Sequence, residues 1–245
     1  VRRDSKGERS FQGFKGGEEH GFADQAFSVN ELKKAWPSLV LQARWLLIGT
    51  IPLATSSSSE SLLWSVDEAL KKGIQLAIDI NWRPTFWDPK NDPDSGPNKF
   101  VLAKIAPLLE KASLLKLAKE EAIWFFNTSE PCQISRSLPQ HPDVVVTDGA
   151  RPLTWCIGGF SGEMRVLSPA PVVDTTGAGD AFTAGLLHQL LLSASIQMNQ
   201  EVMEKVVCFA AACGALVCGG AGAIDPQPTY EEVNEFLSES IGGSN

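Results

Sequence analysis

Four short apolar runs, the first three alternating with helical patterns, restrict what this chain can fold into. They are Trp45-Leu46-Leu47-Ile48-Gly49, Ile74–Ile80, Leu114–Leu117 and Val144–Thr147. Strands that read this way are buried on both faces, as in a sheet covered by helices. Their alternation with helices predicts an α/β fold with a mainly parallel sheet. One helical pattern follows the serine run Ser56–Ser59, with Leu62, Leu63, Val66 and Leu70 as its apolar positions. The serines are natural N-caps for it. Further helices are predicted around Phe100–Lys111 and over Glu120–Phe126, separated from Ile80 by a turn-rich stretch, Pro84–Pro97. Two short strands, Thr154–Ile157 and Met164–Leu167, come next. The last third predicts helices over Ala178–Leu192, Gln200–Val217 and Tyr230–Leu237. In sheets of this class, ligands bind beyond the C-terminal ends of the strands.

A length of 245 residues fits one large domain, or one and a half. With 43% apolar and 20% charged residues, wholesale disorder is excluded. The balance of 21 basic against 29 acidic residues gives a net charge of -8. That argues against nucleic acid or an anionic membrane as partner, since both need a basic surface. One basic pocket for a phosphate ligand stays compatible with it. The five cysteines form no CxxC pair and lie beside no histidine at zinc spacing, which predicts free thiols in a reducing compartment. The uncharged segment Val206–Ile224 is rich in Ala, Gly and Cys and reads as a buried helix ending in a glycine loop. No apolar signal-peptide segment follows Val1, and the missing initiator Met is read as processing or truncation.

The chemistry concentrates in Val173-Asp174-Thr175-Thr176-Gly177-Ala178-Gly179-Asp180-Ala181-Phe182. Gly177 and Gly179 admit close backbone approach by a ligand. They open a helix, whose first N–H groups are unpaired and carry about half a positive charge, an anion site. Asp180 stands in the first turn. There it serves either as a base for an attacking hydroxyl or as a carboxylate that only complements the helix dipole. Spacing alone leaves these two readings equal. The run is neither a Walker A motif nor GxGxxG.

The segment Asp174–Phe182 resembles the C-terminal signature of the ribokinase (PfkB) family of carbohydrate kinases. Asp79-Ile80-Asn81-Trp82-Arg83-Pro84, with Trp87, resembles the DxNxRPxxW element of its fructokinase-like branch. Gly7–Phe11 is similar to a strand of the family's lid. Lys119-Glu120-Glu121 resembles the end of the NxxE element, with Ala118 where the family has a polar residue. Val146-Thr147-Asp148-Gly149 is similar to the nucleotide-side TxGxxG loop, with Pro152 in place of its second glycine. Gly220-Ala221-Gly222 resembles the late glycine loop beside adenine, and Thr229–Val233 the closing helix.

The resemblance implies a ribokinase-like three-layer fold with a mainly parallel sheet and an incomplete lid. Residues 1–23 would be the lid remnant and residues 24–245 the kinase core. It implies ATP and magnesium as cofactors and a small, fructose-like sugar as substrate. Gly177, Ala178 and Gly179 would form the anion hole and Asp180 would be the catalytic base. Asn81 and Arg83 would face substrate and phosphates. Thr147, Gly149, Gly220 and Gly222 would contact the nucleotide, and Glu121 would hold the metal through water. His188 is read as structural, and the tryptophans as core and loop packing. The family pattern also implies a homodimer through the lid, with the cytoplasm, or the plastid stroma in a plant, as location. Its N-terminal part, with the first strands and a sugar-binding element, has no counterpart here. The alternative is therefore a truncated or degenerate kinase fold that serves as a nucleotide-binding or scaffold protein.

Overall fold

In the computed structural model, the described residues are 2–3, 9–10, 28–168 and 171–242. Of the lid strand predicted over Gly7–Phe11, only Arg9–Ser10 lies among them. That pair (β2) runs antiparallel to Arg2–Arg3 (β1). The chain divides into two compact units, Gly13–Thr147 and Asp148–Asn245 with Val1–Gln12.

The first unit is built on four parallel strands in chain order. They are β3 (Trp45–Ile48), β4 (Gln75–Asp79), β5 (Leu114–Ala118) and β6 (Asp143–Asp148). Ile48 pairs with Ile78, Ile78 with Leu115, and Leu115 with Val144, so the apolar runs stand side by side. Leu76, Ile78, Leu115, Leu117 and Val144 are at most 2% exposed. Each such side chain contributes roughly 1.5–3 kcal/mol through burial. The helices of this unit are α1 (Val29–Leu39), α2 (Ser56–Lys71), α3 (Pro84–Trp87), α4 (Lys99–Leu109), α5 (Lys119–Phe126) and α6 (Pro131–Ser137). Ser28 caps α1 by accepting the Glu31 N–H, and Asn98 caps α4 by accepting the Val101 N–H.

Helix α2 departs from the sequence reading. Thr55 holds its N-cap position, and the serines lie inside the helix. Ser58, Ser61 and Ser65 are buried together with Val66 and Ala69, whereas Leu63 and Leu70 are exposed. The serines can line the packed face because their hydroxyls are satisfied locally. Ser58 donates to the Pro52 carbonyl, Ser61 to Ser57 and Ser65 to Leu62. A hydroxyl bonded back to its own backbone carries little burial penalty, and a small side chain lets the helix lie close.

The second unit carries β7 (Arg151–Ile157) and β8 (Phe160–Met164), an antiparallel hairpin, followed by α7 (Ala178–Ser193), α8 (Gln200–Val217) and α9 (Tyr230–Gly242). The last strand starts earlier than the predicted Met164–Leu167. Gly158 and Gly159 have φ of 59 and 84, the left-handed pair that a two-residue hairpin turn requires, and Ile157 pairs with Phe160 across it. Helix α8 is buried almost all round from Phe209 to Ala215. A Cβ on Gly185 would meet the Cys213 sulfur at 2.7 Å, and one on Gly214 would meet the Ala178 carbonyl oxygen at 2.9 Å. Helices α7 and α8 thus approach through small residues. No helix among the described residues is long and apolar enough to cross a membrane.

Candidate active site

Gly177 is the N-cap of α7, with φ 84 and ψ -6, and no side chain caps this end. A Cβ there would meet Ala223 at 2.9 Å, so glycine is required both by the backbone and by the loop packed on it. Ala178, Gly179 and Asp180 form the first turn. Asp180 is exposed, aimed away from the core. The bond from Ala181 N–H to the Gly177 carbonyl is the first of the helical ladder. The Ala178 N–H before it donates to the Thr175 carbonyl at 3.3 Å, and the first-turn amides lie at the positive end of the dipole. This is chemistry for an anion: backbone donors, a fixed partial charge and one carboxylate beside them.

The loop after α8 adjoins it. Asp174 is fully buried, at 0% exposure. Its Oδ1 accepts the Thr176 N–H at 3.0 Å and the Thr176 hydroxyl at 2.7 Å, and its Oδ2 accepts the Gly222 N–H at 2.8 Å. The N–H groups of Val173 and Asp174 donate to the Cys218 carbonyl at the end of α8. Gly222 has φ 88 and open space around its Cβ position, while a Cβ on Gly220 would collide with Pro226 at 2.5 Å. Gly149 turns with φ 57, exposed and unobstructed. The expected residues of this unit thus fall into one cluster, Gly177–Asp180 with Gly220 and Gly222, and Gly149 in the turn after β6.

In the first unit, Asn81 and Arg83 follow the C-terminal end of β4, both half-buried. Asn81 has φ 43, a left-handed conformation that asparagine tolerates better than other side chains, and such outliers gather at functional sites. Arg83 Nη1 donates to the Trp82 carbonyl at 2.7 Å. Glu121, 6% exposed in the first turn of α5, accepts the Trp82 N–H at 2.6 Å and the Ala118 N–H at 2.7 Å. Only half of a capping box exists here, because Ala118 has no acceptor to return the bond. Burial pushes the Glu121 carboxyl above its usual range. The Ala118 amide and Lys116 oppose that shift, Asp79 adds to it, and the Trp82 amide opposes it. Thr147 is half-buried on β6 and its hydroxyl donates to the Leu117 carbonyl.

Two residues of these clusters were not singled out in the sequence. Lys116 pairs with Asp79 at 3.0 Å, with side chains only 12% and 13% exposed. A lysine inside an otherwise apolar strand is the signal that was available. Asp174 was read only as part of a motif. Its tie to Gly222 spans 48 positions, and nothing local announces it.

Magnesium keeps several waters and takes one or two carboxylates plus substrate phosphates. The residues present fit that demand. Each Glu121 oxygen accepts one amide and retains a second lone pair for a water. No group of three or more His, Cys, Asp or Glu among the described residues could hold a metal by itself.

A glycine-opened helix start with a carboxylate in its first turn, on an α/β scaffold, is a site suited to an anion. Residues 14–230 match the pfkB family of carbohydrate kinases, and the chain belongs to that family. It is 30% identical over 241 residues to the probable chloroplastic fructokinase-6 of Arabidopsis thaliana, covering 97% of this chain and 59% of that protein. Among solved structures it resembles a Vibrio cholerae fructokinase in its fructose-, ADP- and calcium-bound form. The TM-score is 0.66, the identity 27%, and the match covers 80% of this chain and 61% of that one. It also resembles aminoimidazole riboside kinase from Salmonella enterica complexed with aminoimidazole riboside and an ATP analogue. There the TM-score is 0.63 and the identity 26%, with 80% and 63% covered. The chain therefore spans about three-fifths of the length of these relatives. Its fold is the ribokinase-like α/β fold with a mainly parallel sheet.

Proposed function

We propose that the protein is an ATP-dependent sugar kinase that transfers the γ-phosphoryl group to a hydroxyl of a small, fructose-like sugar. The observation that carries this reading is the start of α7. Gly177 adopts a conformation only glycine holds without strain, no side chain caps the helix, and Asp180 stands exposed in its first turn. Gly177, Ala178 and Gly179 hold the transferring group as it gains charge, and Asp180 takes the proton of the attacking hydroxyl. Asn81 and Arg83 face the substrate and phosphates, a role suited to a forked guanidinium. Thr147, Gly149, Gly220 and Gly222 contact the nucleotide. Glu121 would hold magnesium through water, and the metal when bound would neutralise charge on the phosphates. Residues 1–23 are the remnant of a lid region, through which a homodimer would form. The reading suits a reducing compartment, the cytoplasm or a plastid stroma.

Catalysis on this design is positioning plus charge stabilisation. ADP release is the test, measured with fructose, other hexoses and ribosides as acceptors. Asp180→Asn is expected to lower turnover by at least ~10²-fold while ATP affinity changes little. Near-normal turnover in that variant refutes the assignment. A second reading, a nucleotide-binding protein without transfer activity, is favoured by Ala118, which leaves the Glu121 cap half built. Nucleotide binding with no ADP release on any acceptor selects it.

A further inference from the structure

We propose that Thr50 is a positioning residue: together with Glu121 it locks Asn81 in its left-handed conformation, and so sets where the Asn81 side chain meets the substrate. The proposal rests on the kinase reading above, which turns Asn81 toward the substrate. Its own ground is the way this conformation is held. Among the described residues, the non-glycine residues with positive φ are Asn81, Asn127 and His141. Asn127 ends α5 with its N–H on the Ile123 carbonyl, and His141 closes a turn with its N–H on the Leu138 carbonyl. Both are held by bonds within their own turn. Asn81 is held from either side by side chains remote in sequence. Thr50 Oγ1 donates to the Ile80 carbonyl at 2.7 Å, across 30 positions. Glu121 accepts the Trp82 N–H at 2.6 Å, across 39 positions.

Thr50 has a nearer use for its hydroxyl and does not take it. It stands at the N-cap of the 3₁₀ turn Ile51–Ala54, where a threonine ordinarily accepts from its own turn, yet no side-chain cap bond forms there. The pairing of β3 with β4 runs to Ile48 and Ile78, and beyond it the hydroxyl takes the Ile80 carbonyl. Thr50 and Ile80 are 1% and 0% exposed, so the bond lies away from water, where an unmet carbonyl is costly. The Ile80 N–H donates to the Lys116 carbonyl of β5, and Trp82 is tied further by its indole Nε1, which donates to the Ser95 carbonyl at 2.8 Å. The residues on both sides of Asn81 are therefore fixed. A sparsely populated backbone conformation persists only where the surroundings over-determine it, and this one lies just beyond the C-terminal end of β4, where sheets of this class receive ligands.

Thr50→Val keeps the shape and removes the donor, whereas Thr50→Ser keeps the donor. Asn81→Gly accepts the left-handed backbone and removes the side chain. The experiment is steady-state ADP release on the full chain, with fructose, other hexoses and ribosides as acceptors, together with amide hydrogen exchange. Thr50→Val is expected to lower kcat/KM for the sugar by ~10-fold and to speed exchange ~10-fold in 79–84, with 114–118 and 143–148 unchanged. Thr50→Ser should stay within about threefold of wild type in both measurements. Asn81→Gly should lose ~10-fold or more in kcat/KM. In that background Thr50→Val should cost less than about threefold further, because the side chain it positions is gone. Independent losses that multiply overturn the proposal. So does full turnover in Asn81→Gly, a serine variant as defective as the valine one, or unchanged exchange in 79–84. Loss of the fold in Thr50→Val, or faster exchange spread evenly over the first unit, marks a purely structural bond and overturns it as well. A wild-type chain that releases no ADP on any acceptor refutes the kinase reading instead, and the exchange in 79–84 then decides the lock by itself.

Discussion

Gly177→Ala and Gly222→Ala form a matched pair. Both glycines have nearly the same φ, 84 and 88. A left-handed alanine costs about 1–2 kcal/mol, offset by about 0.4–1 kcal/mol from the stiffer unfolded chain. Gly222→Ala meets nothing within 4 Å, so its net cost is about 1 kcal/mol. Gly177→Ala adds a methyl 2.9 Å from the Cα and Cβ of Ala223, where backbone and not a flexible side chain must yield. Overpacking of this kind adds about 1–3 kcal/mol, for a total of about 2–4 kcal/mol. Equilibrium urea unfolding followed by circular dichroism reads the difference as a shift in midpoint at constant slope. Equal shifts for the two variants, or a larger one for Gly222→Ala, would refute the close approach of the two loops.

Three further outcomes follow from the same geometry. Gly179→Val should cut turnover far more than Cys213→Ser, because in the proposed function position 179 offers backbone to a phosphate while Cys213 packs against α7; equal, mild losses would remove the phosphate cradle. The buried Glu121 carboxyl has its folded pKa raised above the unfolded value, so the folded state binds the proton more tightly and ionisation is a penalty. Measured against Glu121→Gln, wild-type stability should therefore rise as pH falls from neutral toward and through that raised pKa, and a flat or opposite difference in thermal melts would contradict it. Lys116→Met should cost about 1–3 kcal/mol, less than for a fully buried pair because both side chains keep some solvent, and Asp79→Asn in the same chain should recover part of it; a double-mutant cycle with no coupling would show the pair to be idle.

The strands of the first unit were legible as consecutive apolar runs, and Ile48, Ile78, Leu115 and Val144 stand side by side. Burial on both faces holds for β5 and most of β4 and β6, whereas on β3 Leu47 is 46% exposed. The start of α7 at Ala178 was legible because glycines at 177 and 179 open an apolar helical pattern, whereas the role of Asp180 was not legible from spacing. The face of α2 was misread. Composition says that leucines are buried and serines are not, but hydroxyls bonded to their own helix reverse that order. Helix α1 carried a readable start, Ser28 with Glu31 three positions on, that went unused. The Gly158-Gly159 turn was likewise a local signal passed over. The bonds of Glu121 to Trp82 and of Asp174 to Gly222 are another matter. They join residues 39 and 48 positions apart, and no local pattern encodes them.

The contact of α7 with α8 constrains how this sequence can diverge. Gly185 has no side chain to lose, and a methyl there would strike the Cys213 sulfur. Volume can therefore be exchanged in one direction only. A smaller residue at 213 relieves the closest clash with alanine at 185, leaving the Ala210 Cα and the residue-213 Cβ at 3.2 Å to give by a few tenths of an ångström, whereas a larger one at 213 has no compensating change across the contact. Gly214 is tighter still, since its neighbour is the Ala178 carbonyl, a backbone atom that substitution cannot shrink. Drift along this seam should accordingly run through paired changes at 185 and 213, with 214 held at glycine, and the start of α7 would keep its place while much of the surface around it is rewritten.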